Sequence, residues 1–323
     1  MTSSPAPTPS AVVRLRPYTG VMALALLCTL FGVSRPTFAS PENFFNVLNA
    51  VAIVGILAIG QCFPLIGGGF DLSQGAVACF TGSVTASLMG AGGQPIPIAV
   101  CGGIAAGMTL GWINGLLVSR VGMNPFVATL GTQIAYFGAT NVFTNNQPLS
   151  LGPAGEQFRQ LSFGTFGQFS YASLLFLGLI AALFFTLRLL PFGQYLYTLG
   201  GSEEATRLAG IDTIRVKTAS YVLSGGLAAV AGMVMIARAG QASPVAGTGA
   251  ELESLASCII GGIALGGGAG GAWHVLLGVL TLGVIDNGLQ MVGDVISPNW
   301  RLVIRGVIIL LAVAVDARAR LKR

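Results

Sequence analysis

Seven polar side chains lie inside or beside long apolar runs of this chain: Gln61, Asp71, Asn114, Gln133, Asn141, Asn287 and Gln290. Each costs from several tenths to ~3 kcal/mol to place in hydrocarbon, so such residues face a protein interior or a wet path, not lipid. Gln61, Asp71, Asn114, Asn287 and Gln290 are the candidates for lining such a path. Asp71 is set in GGGFDLS at 67–73, where three glycines break a helix and a short acid or the Ser73 hydroxyl can accept the free N–H groups of the next one. Capping and solute contact are both open to it. Asn114 and Asn287 suit hydrogen bonding between helices equally well. Asp286 and Arg305 lie five or six residues into their helices from a connection expected at about 292–300, hence at similar depth, and are expected to pair or to share a wet cavity.

Several chemistries are excluded. No G-x-x-x-x-G-K-[ST] phosphate cradle exists, and the only Lys-Thr pair, Lys217 and Thr218, follows Val216. A formal G-x-G-x-x-G occurs in GGGAGG at 266–271, but between two apolar runs with no strand before it, so a glycine-rich hairpin is the reading. There is no G-x-S-x-G elbow and no H-E-x-x-H helix; the single histidine, His274, lacks a second ligand. Cys28, Cys62, Cys79, Cys101 and Cys258 each sit in an apolar run without ligand-like spacing, so neither a disulfide nor a metal is expected. No cofactor is expected on this chain.

The elements that must position the polar residues follow from composition. Of 323 residues 53% are hydrophobic and 8% charged, against ~25% charged in soluble domains, and the mean hydropathy is +0.79. Apolar runs at about 20–33, 46–66, 72–91, 96–118, 125–143, 171–190, 214–237, 253–266, 272–291 and 302–316 predict an all-α polytopic membrane protein of about ten helices. Residues 1–19 read as a disordered cytoplasmic leader, 20–316 as the transmembrane domain and 317–323 as a basic cytoplasmic tail. With the N-terminus inside, the inner loops hold ten Lys and Arg (14, 16, 120, 207, 215, 217, 318, 320, 322, 323) and the outer loops four (35, 159, 238, 301), which places both termini in the cytoplasm. The net charge of +5 is thus a topology signal, and no nucleic-acid partner is expected.

Gly103, Gly107, Gly111 and Gly115 recur every fourth residue, a Cβ-free stripe that lets a neighbouring backbone approach closely. LGWINGL at 110–116 echoes LGVIDNGL at 282–289, a short hint of an inverted repeat. Between two spans, Ser202, Glu203, Glu204, Arg207 and Gly210 carry the marks of a short surface helix over 202–210: a capping serine, acids in the first turn and a glycine stop. Solvated connector and protein-docking element are both open to it.

The sequence resembles the permease subunits of bacterial ATP-binding-cassette importers for ribose and related monosaccharides, through GGGFDLSQG at 67–75, NGLLV at 114–118, PFVATLG at 125–131, GQYLYTLGG at 193–201, EEATRLAGI at 203–211, GAELE at 249–253 and NGL at 287–289. The resemblance implies that 202–210 is a coupling helix docking on an ATPase subunit that holds ATP and Mg. It further implies a solute-binding protein, a second permease copy, lipid around the chain, a monosaccharide cargo and a place in the bacterial inner membrane. Glu42, Glu156, Arg159, Arg238, Glu251, Glu253, Asp294 and Arg301 are then available for docking on the outer face. Relatives usually carry Asn at Ser202, a basic residue at Ala269 and a small or branched apolar residue at Gln74. The competing expectation is an ion-coupled secondary transporter, for which intramembrane charge is confined to Asp71, Asp286 and Arg305.

Overall fold

A computed structural model describes residues 19–292 and, beyond them, 300, 303, 304, 306 and 307. The expected leader up to residue 18, the basic tail and Arg305 lie outside the described residues. Among those described, the chain is helical almost throughout: α1 (Thr19–Ser34), a 3-10 turn (Pro36–Ala39), α2 (Pro41–Ile66), α3 (Gln74–Met89), α4 (Ile96–Ser119), α5 (Pro125–Thr144), α6 (Gly155–Phe163), α7 (Tyr171–Leu189), α8 (Pro191–Gly201), α9 (Glu203–Leu208), α10 (Thr213–Ala239), α11 (Ala250–Gly261) and α12 (Ala272–Met291). Five of these, α2, α4, α7, α10 and α12, are long and apolar enough to cross a membrane, which identifies a polytopic all-α membrane protein.

Local sequence sets the helix ends. Pro41, Pro125 and Pro191 each open a helix, where a missing N–H costs nothing. Ser40, Asn124, Ser170, Ser202 and Asp212 accept from N–H groups of the first turn that follows. The short helix expected at 202–210 forms over Glu203–Leu208: Ser202 Oγ accepts from Ala205 N at 3.2 Å, and Gly210 takes φ +82°, a left-handed turn that a side chain would resist.

The connections between the helices gather at two ends of the bundle. At one end, Tyr197 of α8 donates to Gly270 O at 2.8 Å, Gly268 N donates to Ile66 O at 2.8 Å, and Gly200 lies against Gly68, so α8, α9 and the glycine-rich connection gather there. At the other, β1 (Leu149–Ser150) pairs with β4 (Gln241–Ala242), β2 (Thr165–Phe166) pairs with β3 (Phe169–Ser170), and Arg238 Nη2 donates to Asn49 O at 2.7 Å. The central helix is α2, buried along most of its length with Ile56, Leu57 and Ile59 in the main core. The glycine stripe of α4 lies on α10 as its spacing predicts, Gly107 against Gly225 and Ala229, Gly111 against Tyr221, and Gly115 with its Cβ position 2.8 Å from the Thr218 Cα.

Two runs form shorter helices than expected. The helix over 253–266 ends at Gly261, after 12 residues, because Gly262 adopts φ +102°, and the run at 72–91 is helical only from Gln74. At 1.5 Å per residue they are about 18 and 24 Å long, both short of the roughly 30 Å of a bilayer core. Residues 67–73 turn back beside α2, with the Asp71 N–H on the Gln61 side chain, about 8 Å short of the end of α2. After β4 the chain descends along α3, Ser243 O accepting from Cys79 Sγ at 3.3 Å, until Gly247 touches the Gly75 backbone. The first turns of α3 and α11 therefore meet inside the bundle, short of the end of α2, and the helices run to opposite ends. Irregular backbone at that depth is tolerated only where protein covers it.

Candidate functional site

Asp71 is the hub of that meeting point. Oδ1 accepts from Ser73 N at 2.9 Å and from Ser73 Oγ at 2.6 Å, and Oδ2 accepts from Ser224 Oγ of α10 at 2.8 Å. The carboxylate thus closes a turn one residue before α3 and does not cap the helix itself, and it ties that turn to α10. Ser73 Oγ accepts from Asn114 Nδ2 of α4 at 2.7 Å, and Asn114 Oδ1 accepts from Tyr136 Oη of α5 at 3.4 Å. On the other side Gln74 Nε2 donates to Ser224 Oγ at 2.9 Å and to Leu57 O at 3.1 Å, while Gln74 Oε1 accepts from Ser254 Oγ of α11 at 2.8 Å. In the amide orientation that satisfies both its ends, Gln61 of α2 donates to Asp71 O at 3.0 Å and to Gln74 Oε1 at 3.3 Å. Gln61, Asp71, Ser73, Gln74, Asn114, Ser224 and Ser254 are wholly buried. Side chains from α2, α3, α4, α5, α10 and α11 are thereby joined in one network, in a medium where an unmatched polar group is costly.

A polar cleft approaches this network from the α9 end. It encloses about 480 Å³ and is lined by Gly67, Gly68, Gly69, Asn124, Lys217 and Tyr221 among others. Its walls include Gly69 and Tyr221, and Tyr221 Oη donates to Phe70 O at 3.2 Å, one residue before Asp71. Glu203 of α9 stands at its rim, its Oε2 accepting from Lys217 Nζ of α10 at 2.6 Å. Arg207 and Glu204 lie exposed on the same short helix.

Of the five candidates for a polar path, the structure brings Gln61, Asp71 and Asn114 together and leaves two apart. Asn287 exchanges amide hydrogen bonds with Asn43 at 2.9 and 3.0 Å near the opposite end, an interhelical clasp between α12 and α2. Gln290 lines a cavity of about 240 Å³ with Glu253, Asp286 and Asn287. The pairing of Asp286 with Arg305 falls outside the described residues. The echo of 110–116 in 282–289 does not extend to partners, since Asn114 bonds the start of α3 and Asn287 the start of α2.

Three residues expected on the outer face are placed otherwise, Glu253 being half-buried in the cavity with Gln290. Glu251 is buried, with Oε1 accepting from Gln133 Nε2 at 2.6 Å and Oε2 against Gly75 without a hydrogen-bond partner. Arg238 points inward to Asn49 and Ser162. Glu156 and Arg159 do form an exposed ion pair at 3.3 Å, and Glu42 is exposed, while Asp294 and Arg301 lie outside the described residues. Sequence reading overlooked Ser224, Ser254 and Tyr136. A hydroxyl inside an apolar helix can bond its own backbone, as Ser254 Oγ also does to Glu251 O at 2.9 Å, so it leaves no conspicuous cost to detect.

The chain matches the family described as branched-chain amino acid transport system / permease component over residues 43–313. It is 35% identical over 305 residues to the ribose import permease protein RbsC of Bacillus subtilis (strain 168), covering 94% of this chain and 93% of that one. It is 34% identical over 304 residues to RbsC of Escherichia coli (strain K12), covering 92% of each chain. It is 35% identical over 297 residues to the D-allose transport system permease protein AlsC of the same strain, covering 91% of this chain and 89% of the relative. No solved structure matches it. An all-helical membrane bundle with broken helices meeting in its interior, a family match over most of its length and relatives that are transport components, not enzymes, together place this chain in the branched-chain amino acid transport system / permease component family.

Proposed function

We propose that the chain is the membrane permease of an ATP-driven importer for a monosaccharide, in the bacterial inner membrane with both termini cytoplasmic. Relatives similar to it over most of its length carry ribose import and D-allose transport in their names. The observation that carries the reading is the linkage from α9 to the buried network. Glu203 on α9 is bonded to Lys217 on α10, and two turns further along α10 Ser224 is bonded to Asp71. A push on α9 from an ATPase subunit would displace the base of α10, part Ser224 from Asp71 and open the floor of the cleft. Gln61, Asp71, Asn114, Ser224 and Gln74 are the closed gate in this scheme, and solute hydroxyls would replace their mutual bonds during passage.

Energy enters from outside the chain, because ATP and Mg²⁺ sit on the ATPase partner and differential contacts belong to the two states of that partner. Ser202, Glu203, Glu204, Arg207 and Gly210 supply the docking element. A soluble binding protein delivers the sugar at the opposite end, where Glu42 and Glu156 are exposed and Arg159 is half-buried. A second permease copy completes the path along α5, whose Phe126, Leu130 and Ile134 are exposed and whose Gly131 and Gly138 face open space.

The test is ribose uptake by proteoliposomes containing the permease, its ATPase and its binding protein. The Glu203→Ala, Glu204→Ala double variant is expected to insert normally, lose the ATPase and stop uptake. Unchanged uptake overturns the coupling role of α9, and uptake driven by a proton or sodium gradient with the ATPase omitted overturns the ATP-driven reading.

A further inference from the structure

A second cavity lies on another face of the same stretches of α4 and α10 that wall the cleft. It is a groove of about 710 Å³ between α4 and α10 at the α9 end. Along α4 its wall is Trp112, Leu116 and Arg120, at i, i+4 and i+8 of one helical face. Along α10 it is Arg215, Ala219, Val222 and Leu223. The two guanidinium-bearing residues stand at one end and the apolar side chains fill the rest. From Arg120 to Trp112 the groove runs about 12 Å, most of the depth of one bilayer leaflet.

The mouth carries a net positive charge, two arginines against the single carboxylate of Asp212. Among the described residues no carboxylate pairs with Arg120, and Arg215 pairs only with Asp212, through an exposed contact at 2.9 Å. Trp112 and Leu223 remain exposed in the apolar part. A positive mouth above an apolar slot one leaflet deep is complementary to an anionic phospholipid, with its phosphate at the arginines and an acyl chain along Trp112 and Val222.

We propose that the groove between α4 and α10 is a binding site for one anionic phospholipid of the leaflet on the α9 side. The site is independent of the solute, and it flanks the helix that carries both Lys217 and Ser224.

The experiment uses the full chain in vesicles, with Trp273→Phe and Trp300→Phe leaving Trp112 as the only tryptophan. Its fluorescence is quenched with phosphatidylglycerol or phosphatidylcholine brominated on the acyl chains. Phosphatidylglycerol is expected to associate at least tenfold more tightly. Arg120→Gln and Arg215→Gln are each expected to reduce that preference about fivefold with an unchanged unfolding midpoint. Ala219→Phe, which fills the slot and keeps both arginines, is expected to reduce the quenching, and free inorganic phosphate is expected not to compete. Equal quenching by the two lipids, a preference that survives the double arginine variant, or protection of Trp112 from both lipids by a protein neighbour would each overturn the proposal.

Discussion

Removing the Asp71 carboxylate is the sharpest perturbation of the buried network. In Asp71→Ala three donors lose their acceptor: Ser73 N, Ser73 Oγ and Ser224 Oγ. A buried donor left without a partner costs about 1–3 kcal/mol. The two hydroxyls can turn toward helix carbonyls, whereas the Ser73 N–H is fixed, so the net loss is about 3 kcal/mol. Asp71→Asn keeps Oδ1 for both Ser73 bonds and presents an NH2 to Ser224 Oγ, which already accepts from Gln74 Nε2. One donor is displaced, and the loss is about 1–2 kcal/mol. Ser224→Ala should cost about as much as Asp71→Asn. The double variant Asp71→Ala, Ser224→Ala should fall short of the sum by at least 1 kcal/mol, because both singles remove the same bond. The assay is the unfolding midpoint of detergent-solubilised protein on denaturant titration, converted with a common slope. Additive losses in the cycle, or an Asp71→Ala variant as stable as its parent, would refute the network as a single cooperative latch.

Four further outcomes follow from the same geometry. Gly225→Ala places a methyl on the α4 backbone at Gly107 and Gly111 and is expected to destabilise by about 1–3 kcal/mol, while Gly138→Ala, in open space, should shift the thermal midpoint by less than about 0.5 kcal/mol equivalent. Lys217→Met breaks an ion pair that is partly solvent-exposed, so its effect on stability should stay below about 1 kcal/mol, while uptake falls; a variant with intact uptake would remove the α9–α10 link from the mechanism. Asn43→Ala and Asn287→Ala should each cost about 1–2 kcal/mol, and the double change Asn43→Leu, Asn287→Leu should cost less than the sum of the single changes, as read by thermal unfolding. Ser202→Ala should cost about 1 kcal/mol of local stability, seen as faster amide exchange over 203–208, and Ser202→Asn should leave exchange unchanged.

Periodicity and composition were enough to determine a helical membrane bundle, the place of nine of its apolar segments, the short capped helix at 202–210 and the glycine stripe of α4. These are properties of single helices or of one helix face, governed by rules that act within about ten residues. What only the tertiary structure decided is how far the apolar runs at 72–91 and 253–266 extend as helix and which polar residues meet. Asn114 looked no different in kind from Asn287 in sequence, each an amide in an apolar run. Their separation into a central network and a distant clasp depends on residues 67–73 turning back into the bundle and on 243–249 descending to meet them. Glu251, which reads as an outer-face acid from its position after a span, is buried for the same reason. Helix propensity and hydropathy are summed locally, whereas the depth at which a broken helix restarts is fixed by backbone contacts such as Gly75 on Gly247, made between segments more than 170 residues apart.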